Sequence, residues 1–183
     1  MRRALLLLSA ALLLSACGGA ASGDTGAGFV SGSGTVDFEP DEREPAPDVT
    51  AVTLEEDELA LADLDGVVVL NFWASWCGPC AAEAPDLVAT HERYAGESVE
   101  MLGVNVRDSQ TNARTFERDF EIPYPSWHDE DSSIASRFGG IGPSALPTTI
   151  ILDKEHRVAS RLFGAVTFEQ LTSRIDAILE EPA

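Results

Sequence analysis

A chain of 183 residues, 44% of them apolar, suits one domain of ordinary size with a buried core. Its formal net charge is −19, from 31 acidic and 12 basic side chains spread along the chain. That excludes nucleic acid as an expected partner, because phosphate neutralisation needs clustered Lys and Arg; the acid reads as a soluble, self-repelling surface.

The first residues, "MRRALLLLSAALLLSAC", place Arg2 and Arg3 before an apolar run from Ala4 to Leu14 and then small residues. This is the pattern of a secretory signal, and the run is shorter than the ~20 residues that cross a bilayer. Leu14-Ser15-Ala16-Cys17 resembles the bacterial lipoprotein box. The resemblance implies a signal peptide over 1–16, cleavage just before Cys17, lipid attachment to Cys17 and an extracytoplasmic protein anchored to the cell membrane. Diacylglycerol on the sulfur and an amide-linked chain would supply the two or more chains that stable anchoring requires. The competing reading is an ordinary cleaved signal with a leftover thiol.

Residues 17–46 then read as the lipidated cysteine and a linker. Gly18 to Asp48 is rich in Gly, Ser, Pro and acid, and such composition cannot offset the entropy of ordering. These 31 residues would reach roughly 30 Å, holding the domain near the membrane surface. Loss of Arg2 and Arg3 leaves ten basic residues against 31 acidic, a net charge of −21 that an anionic membrane repels. A lipid anchor overcomes that repulsion; an electrostatic one could not.

The folded domain is expected over 47–183. Val49 to Leu61 has short alternating stretches broken by "EEDE", which predict a hairpin at a sheet edge. "GVVVLNFWA" (66–74) is apolar on both faces and reads as a central strand. Cys80 to Tyr94 reads as a helix, with Leu87, Val88, His91 and Tyr94 at helical spacing and Pro85 expected to kink or break it. "SVEMLGVNV" (98–106) predicts a second strand, and "TNARTFERDF" (111–120) a helix with Phe116 and Phe120 four apart. "EIPYPSW" is extended. "DSSIASRFGG" has Ser132 as N-cap and Gly139 as C-terminal stop. "LPTTIILD" and "RVASRLFG" predict two strands joined by "DKEHR". Thr167 and Gln170 form a capping box before an apolar face of Phe168, Leu171, Ile175 and Leu179. Strands alternating with helices, closed by a hairpin and a helix, give an α/β fold with a mixed central sheet flanked by helices.

Three cysteines are too few and too odd in number for a disulfide framework. Cys77-Gly78-Pro79-Cys80 follows the buried strand and opens the helix. A zinc site needs four ligands; the domain has no other cysteine, and His91, His128 and His156 are scattered, so no metal is expected. A purely structural disulfide closing so short a loop would stabilise weakly. The third reading is a redox dithiol that needs no cofactor beyond its own Cys77–Cys80 disulfide. Cys77 would sit at a helix N-terminus, where free amides and the dipole favour a thiolate. Cys80, one turn on, would be more buried. Cys77 attacks a substrate disulfide, and Cys80 then resolves the mixed disulfide. Gly78 lets the backbone bend closely, Pro79 suits an early helical position, and Trp76 is expected to cover one side of the pair.

"NFWASWCGPC" is close to the thioredoxin signature. "WCGPC", the following Glu83 and Pro85, and "LPTTIILD" downstream resemble the TlpA/ResA-like branch, membrane-tethered thiol-disulfide oxidoreductases of the bacterial cell envelope. The resemblance covers about 47–181. It implies a thioredoxin-like fold with an insertion at about 111–126, and a cis peptide at Pro147 with its loop facing the cysteines. It also implies that Glu83 approaches the pair, with a raised pKa if buried. Asn71 stands where thioredoxins proper carry a buried Asp, and cannot shuttle a proton, which shifts weight to Glu83. The stretch "GGIGPSAL" before Pro147 is more Gly-rich than the family pattern.

The resemblance further implies a monomeric reductase of protein disulfides, with a membrane thiol carrier of the CcdA or DsbD type as donor. Such proteins often reduce the CxxCH thiols of apocytochrome c in cytochrome c biogenesis. Two other functions compete. A thiol peroxidase of the peroxiredoxin group wants Thr or Ser three residues before its attacking cysteine, where this chain has Ala74. A non-catalytic thioredoxin-like binding module would fit the loss of a cysteine, and both are present.

Overall fold

The computed structural model describes residues 34–139 and 145–182. The strands are β1 (Gly34–Asp37), β2 (Thr50–Val52), β3 (Glu58–Ala60), β4 (Val67–Trp73), β5 (Val99–Val106), β6 (Ser126–Asp129), β7 (Thr148–Leu152) and β8 (Val158–Phe163). The helices are α1 (Gly78–Arg93), α2 (Gln110–Asp119), α3 (Ser133–Arg137) and α4 (Phe168–Leu179). Six strands form one mixed sheet in the order β1-β8-β7-β4-β5-β6. β4 lies parallel to β5 and antiparallel to β7. This is the mixed, helix-flanked sheet expected of a thioredoxin-like fold.

β4 is buried along its whole length, as a strand flanked on both faces must be. Its side chains alternate between two cores, as the two-residue period of a strand dictates. Val68, Leu70 and Phe72 enter one core with Trp127, Ile134 of α3 and Phe138 just after it. Val67 and Val69 enter the other, with Leu87 of α1 and Leu171 and Ile175 of α4. Asn71 shares the second face, so the one polar residue of the strand meets α1. Gly103 pairs with Asn71 across the parallel ladder. A Cβ there would lie 2.1 Å from Ser126 Oγ and 2.8 Å from Trp73 Nε1, so only glycine fits.

The linker expected through residue 46 is shorter than its composition indicated. β1 pairs antiparallel with β8 at the sheet edge, and Ala46 N donates to His156 O at 2.8 Å. Arg43 ties this segment down: Nη1 reaches Asp153 Oδ2 at 3.2 Å and Nη2 reaches Glu181 Oε1 at 2.6 Å. Polar, Pro-rich sequence is ordered here because a free strand edge and two carboxylates receive it. Residues 1–33, with the signal segment, Cys17 and the first part of the linker, lie outside the described residues, as do 140–144 of the Gly-rich stretch.

Several local expectations change. β2 and β3 pair as the expected hairpin but form a separate two-stranded sheet, attached to the β6 edge through the Thr53–Trp127 bridge. α1 runs through Pro85 unbroken, held on either side by buried Glu83, Ala84 and Leu87. Ser132 occupies the N-cap of α3, but its side chain does not cap; Asp129 accepts from Ile134 N at 3.0 Å and Ala135 N at 2.8 Å instead. The capping box of α4 is present, with Thr167 Oγ accepting from Gln170 N and Gln170 Oε1 from Thr167 N. On that helix Leu171 and Ile175 are buried as expected, Ile178 is buried as well, Leu179 is only partly buried and Phe168 is exposed. The stretch 111–126 is α2 and the loop into β6.

Candidate active site

β4 ends at Trp73, and a short turn delivers Cys77 to the start of α1. Cys77 is the N-cap of that helix, with extended backbone (φ −90°, ψ 104°), and its Sγ accepts from Cys80 N at 3.3 Å. Cys77 and Cys80 are joined by a disulfide, with Cα atoms 5.3 Å apart. Cys77 is 6% exposed and Cys80 2%, the expected order. Sulfur at this position faces the unpaired amides and positive end of the helix. Pro79 lies at the second helical position, where a missing N–H costs nothing. A Cβ at Gly78 would meet nothing within 4 Å, so crowding within the protein does not require glycine there.

Both sulfurs pack in a small core with Trp73, Ala84 and Phe116, and Leu146 lies against it. Leu146 precedes Pro147, and the peptide between them is cis. The Pro147 loop is thus brought beside the cysteines, although 67 residues of sequence separate Pro147 from Cys80. Pro147 O accepts from Gly164 N at 2.9 Å, which ties the loop to the end of β8.

Glu83 is 1% exposed, one helical turn beyond Cys80. Its Oε1 accepts from Asn71 Nδ2 at 2.8 Å and its Oε2 from Val166 N at 2.9 Å. Burial pushes the carboxyl up to about 7, against the pull of those two hydrogen bonds; the nearby Asp86 adds to the rise. A small cavity behind Cys80 is lined by Asn71, Trp73, Phe116, Ile122 and Tyr124.

Trp76 is 53% exposed; its indole N–H donates to Arg107 O at 3.0 Å, so its polar contact is with the loop after β5. That loop holds the residue sequence reasoning missed. Asp108 Oδ2 accepts from Ser75 N at 2.6 Å and Asn105 Nδ2 at 3.2 Å, and Oδ1 from Ser109 N at 2.9 Å. Asp108 and Arg107 therefore brace the turn that carries Cys77. The only signal in the sequence was an acid just past the end of a strand, which any solvated loop offers.

A disulfide that caps a helix at the end of the central strand, a cis-proline loop beside it and a buried carboxyl one turn below define a thiol-disulfide oxidoreductase of thioredoxin-like fold. The chain belongs to the AhpC/TSA family, whose model matches residues 43–161. It is similar to the thiol-disulfide oxidoreductase ResA of Geobacillus thermodenitrificans, 34% identical over 134 residues that cover 73% of this chain and 75% of that protein. Among solved structures it resembles a DsbF homologue from Corynebacterium diphtheriae, with 39% identity, a TM-score of 0.73 and coverage of 78% and 92% of the two chains. It also resembles a secreted thiol-disulfide isomerase from Corynebacterium glutamicum, with 34% identity, a TM-score of 0.76 and coverage of 80% and 92%.

Proposed function

We propose that this protein is an extracytoplasmic lipoprotein, anchored through Cys17, that reduces disulfides in other proteins as a monomer. The observation that carries the redox part of this reading is Cys77 at the N-cap of α1 with Cys80 N–H donating to its sulfur. In the opened pair that amide and the helix N-terminus stabilise a thiolate at Cys77. The Cys77 thiolate attacks one sulfur of the substrate disulfide and expels the other as thiolate. Cys80 then attacks Cys77 Sγ, expels the second substrate sulfur and closes the Cys77–Cys80 disulfide. Two electrons have passed to the substrate. Glu83, near its midpoint of protonation at neutral pH, takes the proton that Cys80 must lose. The backbone beside Pro147 receives the substrate chain, and Trp76, Gly78 and Pro79 form the open surface on which it rests.

A membrane thiol carrier of the CcdA or DsbD type returns the pair to the dithiol. Apocytochrome c, with its CxxCH cysteines, is a substrate of suitable chemistry, which would place the protein in cytochrome c biogenesis. The likeness to ResA supports this reading, as does the signal-like start of the chain. Among the described residues no helix is long and apolar enough to cross a membrane. The test is insulin reduction with dithiothreitol, beside hydrogen peroxide turnover. Insulin reduction lost in Cys77→Ala supports the reductase. Peroxide turnover without it points to the peroxidase, and neither activity to a binding module. In cells, a mostly oxidised pair would reverse the proposed direction.

A further inference from the structure

One row of paired residues crosses all six strands of the sheet: Gly34, Phe163, Thr148, Phe72, Val104 and Trp127. Phe72 and Thr148 mark the end of the sheet where Cys77 and Pro147 lie. Gly34, the first residue of β1, is therefore at that same end. Three strand spacings separate it from β4, roughly 14 Å. The first described strand therefore starts at the redox end of the sheet, three strands across from β4. The opposite end of the sheet, where Asp65 leads into β4, is about 20 Å away along the strands.

The entry point is held in place. Asp37, at the far end of β1, accepts from Arg174 Nε at 2.8 Å and from Ser160 Oγ at 2.7 Å. Arg43 adds the buried pairing with Asp153. Residues 18–33, sixteen in all, separate Cys17 from β1 and span at most about 55 Å even when fully extended.

We infer that attachment at the Cys77 end of the sheet biases the domain to present that end to the membrane, so that the redox pair meets a membrane-resident dithiol. This rests on the reading of Cys17 as the lipid-bearing residue. The exchange is balanced: the membrane dithiol gives two electrons and two protons to the Cys77–Cys80 disulfide and becomes a disulfide itself. A tether entering at the other end would have biased the pair away from the bilayer.

The test uses full-length protein, lipidated in cells and reconstituted into phosphatidylcholine vesicles with an acceptor dye on the headgroups. Thr111→Cys, just beyond the Cys77 end of β5, and Asp65→Cys, at the opposite end of the sheet, each carry a donor dye. Cys77 and Cys80 are kept oxidised and Cys17 is acylated, so each variant takes one label. With the two ends ~20 Å apart, energy transfer from position 111 should exceed that from position 65 by about twofold. Equal transfer, or more from position 65, in protein that floats with the vesicles overturns the orientation and leaves the anchor standing. Protein that does not float with the vesicles overturns the anchor, and the orientation with it.

Discussion

Asn71 Nδ2 donates to Glu83 Oε1 at 2.8 Å, joining the central strand to the helix that carries the cysteines. The same nitrogen also reaches Thr149 Oγ1 at 3.2 Å, so the amide is fixed between two strands and α1. A neutral donor can hold the carboxyl in place without forcing it to ionise, and burial then sets its titration.

Glu83 should make stability fall as pH rises. Its carboxyl is held at about 7 in the fold, against an ordinary 4.5. The folded protein thus binds this proton more tightly than the unfolded chain. Its stabilising effect is full below about 4.5 and is lost as pH rises through about 7, on the order of 3 kcal/mol in all. Glu83→Gln removes that component, so the variant should lose markedly less stability between pH 5 and pH 8 in urea titrations. Some slope remains, because burial also pushes Glu117 up to about 7. An identical slope in both proteins would return Glu83 to ordinary titration. The pH profile of Cys77 alkylation should shift in the same variant.

Cys80→Ala should accumulate a mixed disulfide through Cys77. The first attack needs only the sulfur at the N-cap, and the second needs the residue removed. Non-reducing gels of tagged variant recovered from cells would show a partner released by dithiothreitol. Recovery of no disulfide-linked protein would end the two-step scheme.

Asp108→Ala should loosen the turn before Cys77. It strands the N–H groups of Ser75 and Ser109 and the amide of buried Asn105. We expect a stability loss on the order of 2 kcal/mol, a slower insulin reduction and a shifted Cys77 alkylation profile. Asp108→Asn keeps an acceptor oxygen and should recover most of the rate. If alanine matches the parent in rate and profile, Asp108 has no part in positioning Cys77.

A domain beginning at residue 47 should be less stable than one beginning at residue 34. Truncation removes β1 and Arg43, leaving Asp153 without one of its two cationic partners. Arg43→Ala alone should cost about 2 kcal/mol: Asp153 is almost wholly buried but keeps Arg157 as its second cationic partner. Equal denaturation midpoints for the two lengths would show that the N-terminal segment rests on the fold without supporting it.

Much of the site is readable along the chain because its parts are local. Cys77, Pro79 and Cys80 follow a run that can only be a buried strand and precede a run that can only be a helix. The N-cap position of Cys77 follows from that order. Glu83 was legible as a candidate, but its titration was not. That depends on Asn71, twelve residues earlier, and Val166, eighty-three later, closing over it. Asp108 was not legible, since nothing local distinguishes an acid that solvates a loop from one that braces it. The linker was misjudged for a related reason. Composition reports what a segment can bury by itself, and β1 is ordered by the edge of β8.

The amino-acid order alone determined the central strand and the main helices, the pair of reactive sulfurs and the family likeness, because strand and helix periods and the CGPC spacing act over a few residues. Only the tertiary structure decided where the chain enters the sheet, which carboxyl is dehydrated and which loop holds Cys77 in place. Those depend on desolvation and hydrogen bonds between segments far apart in the chain, and neither is set until the chain has closed on itself.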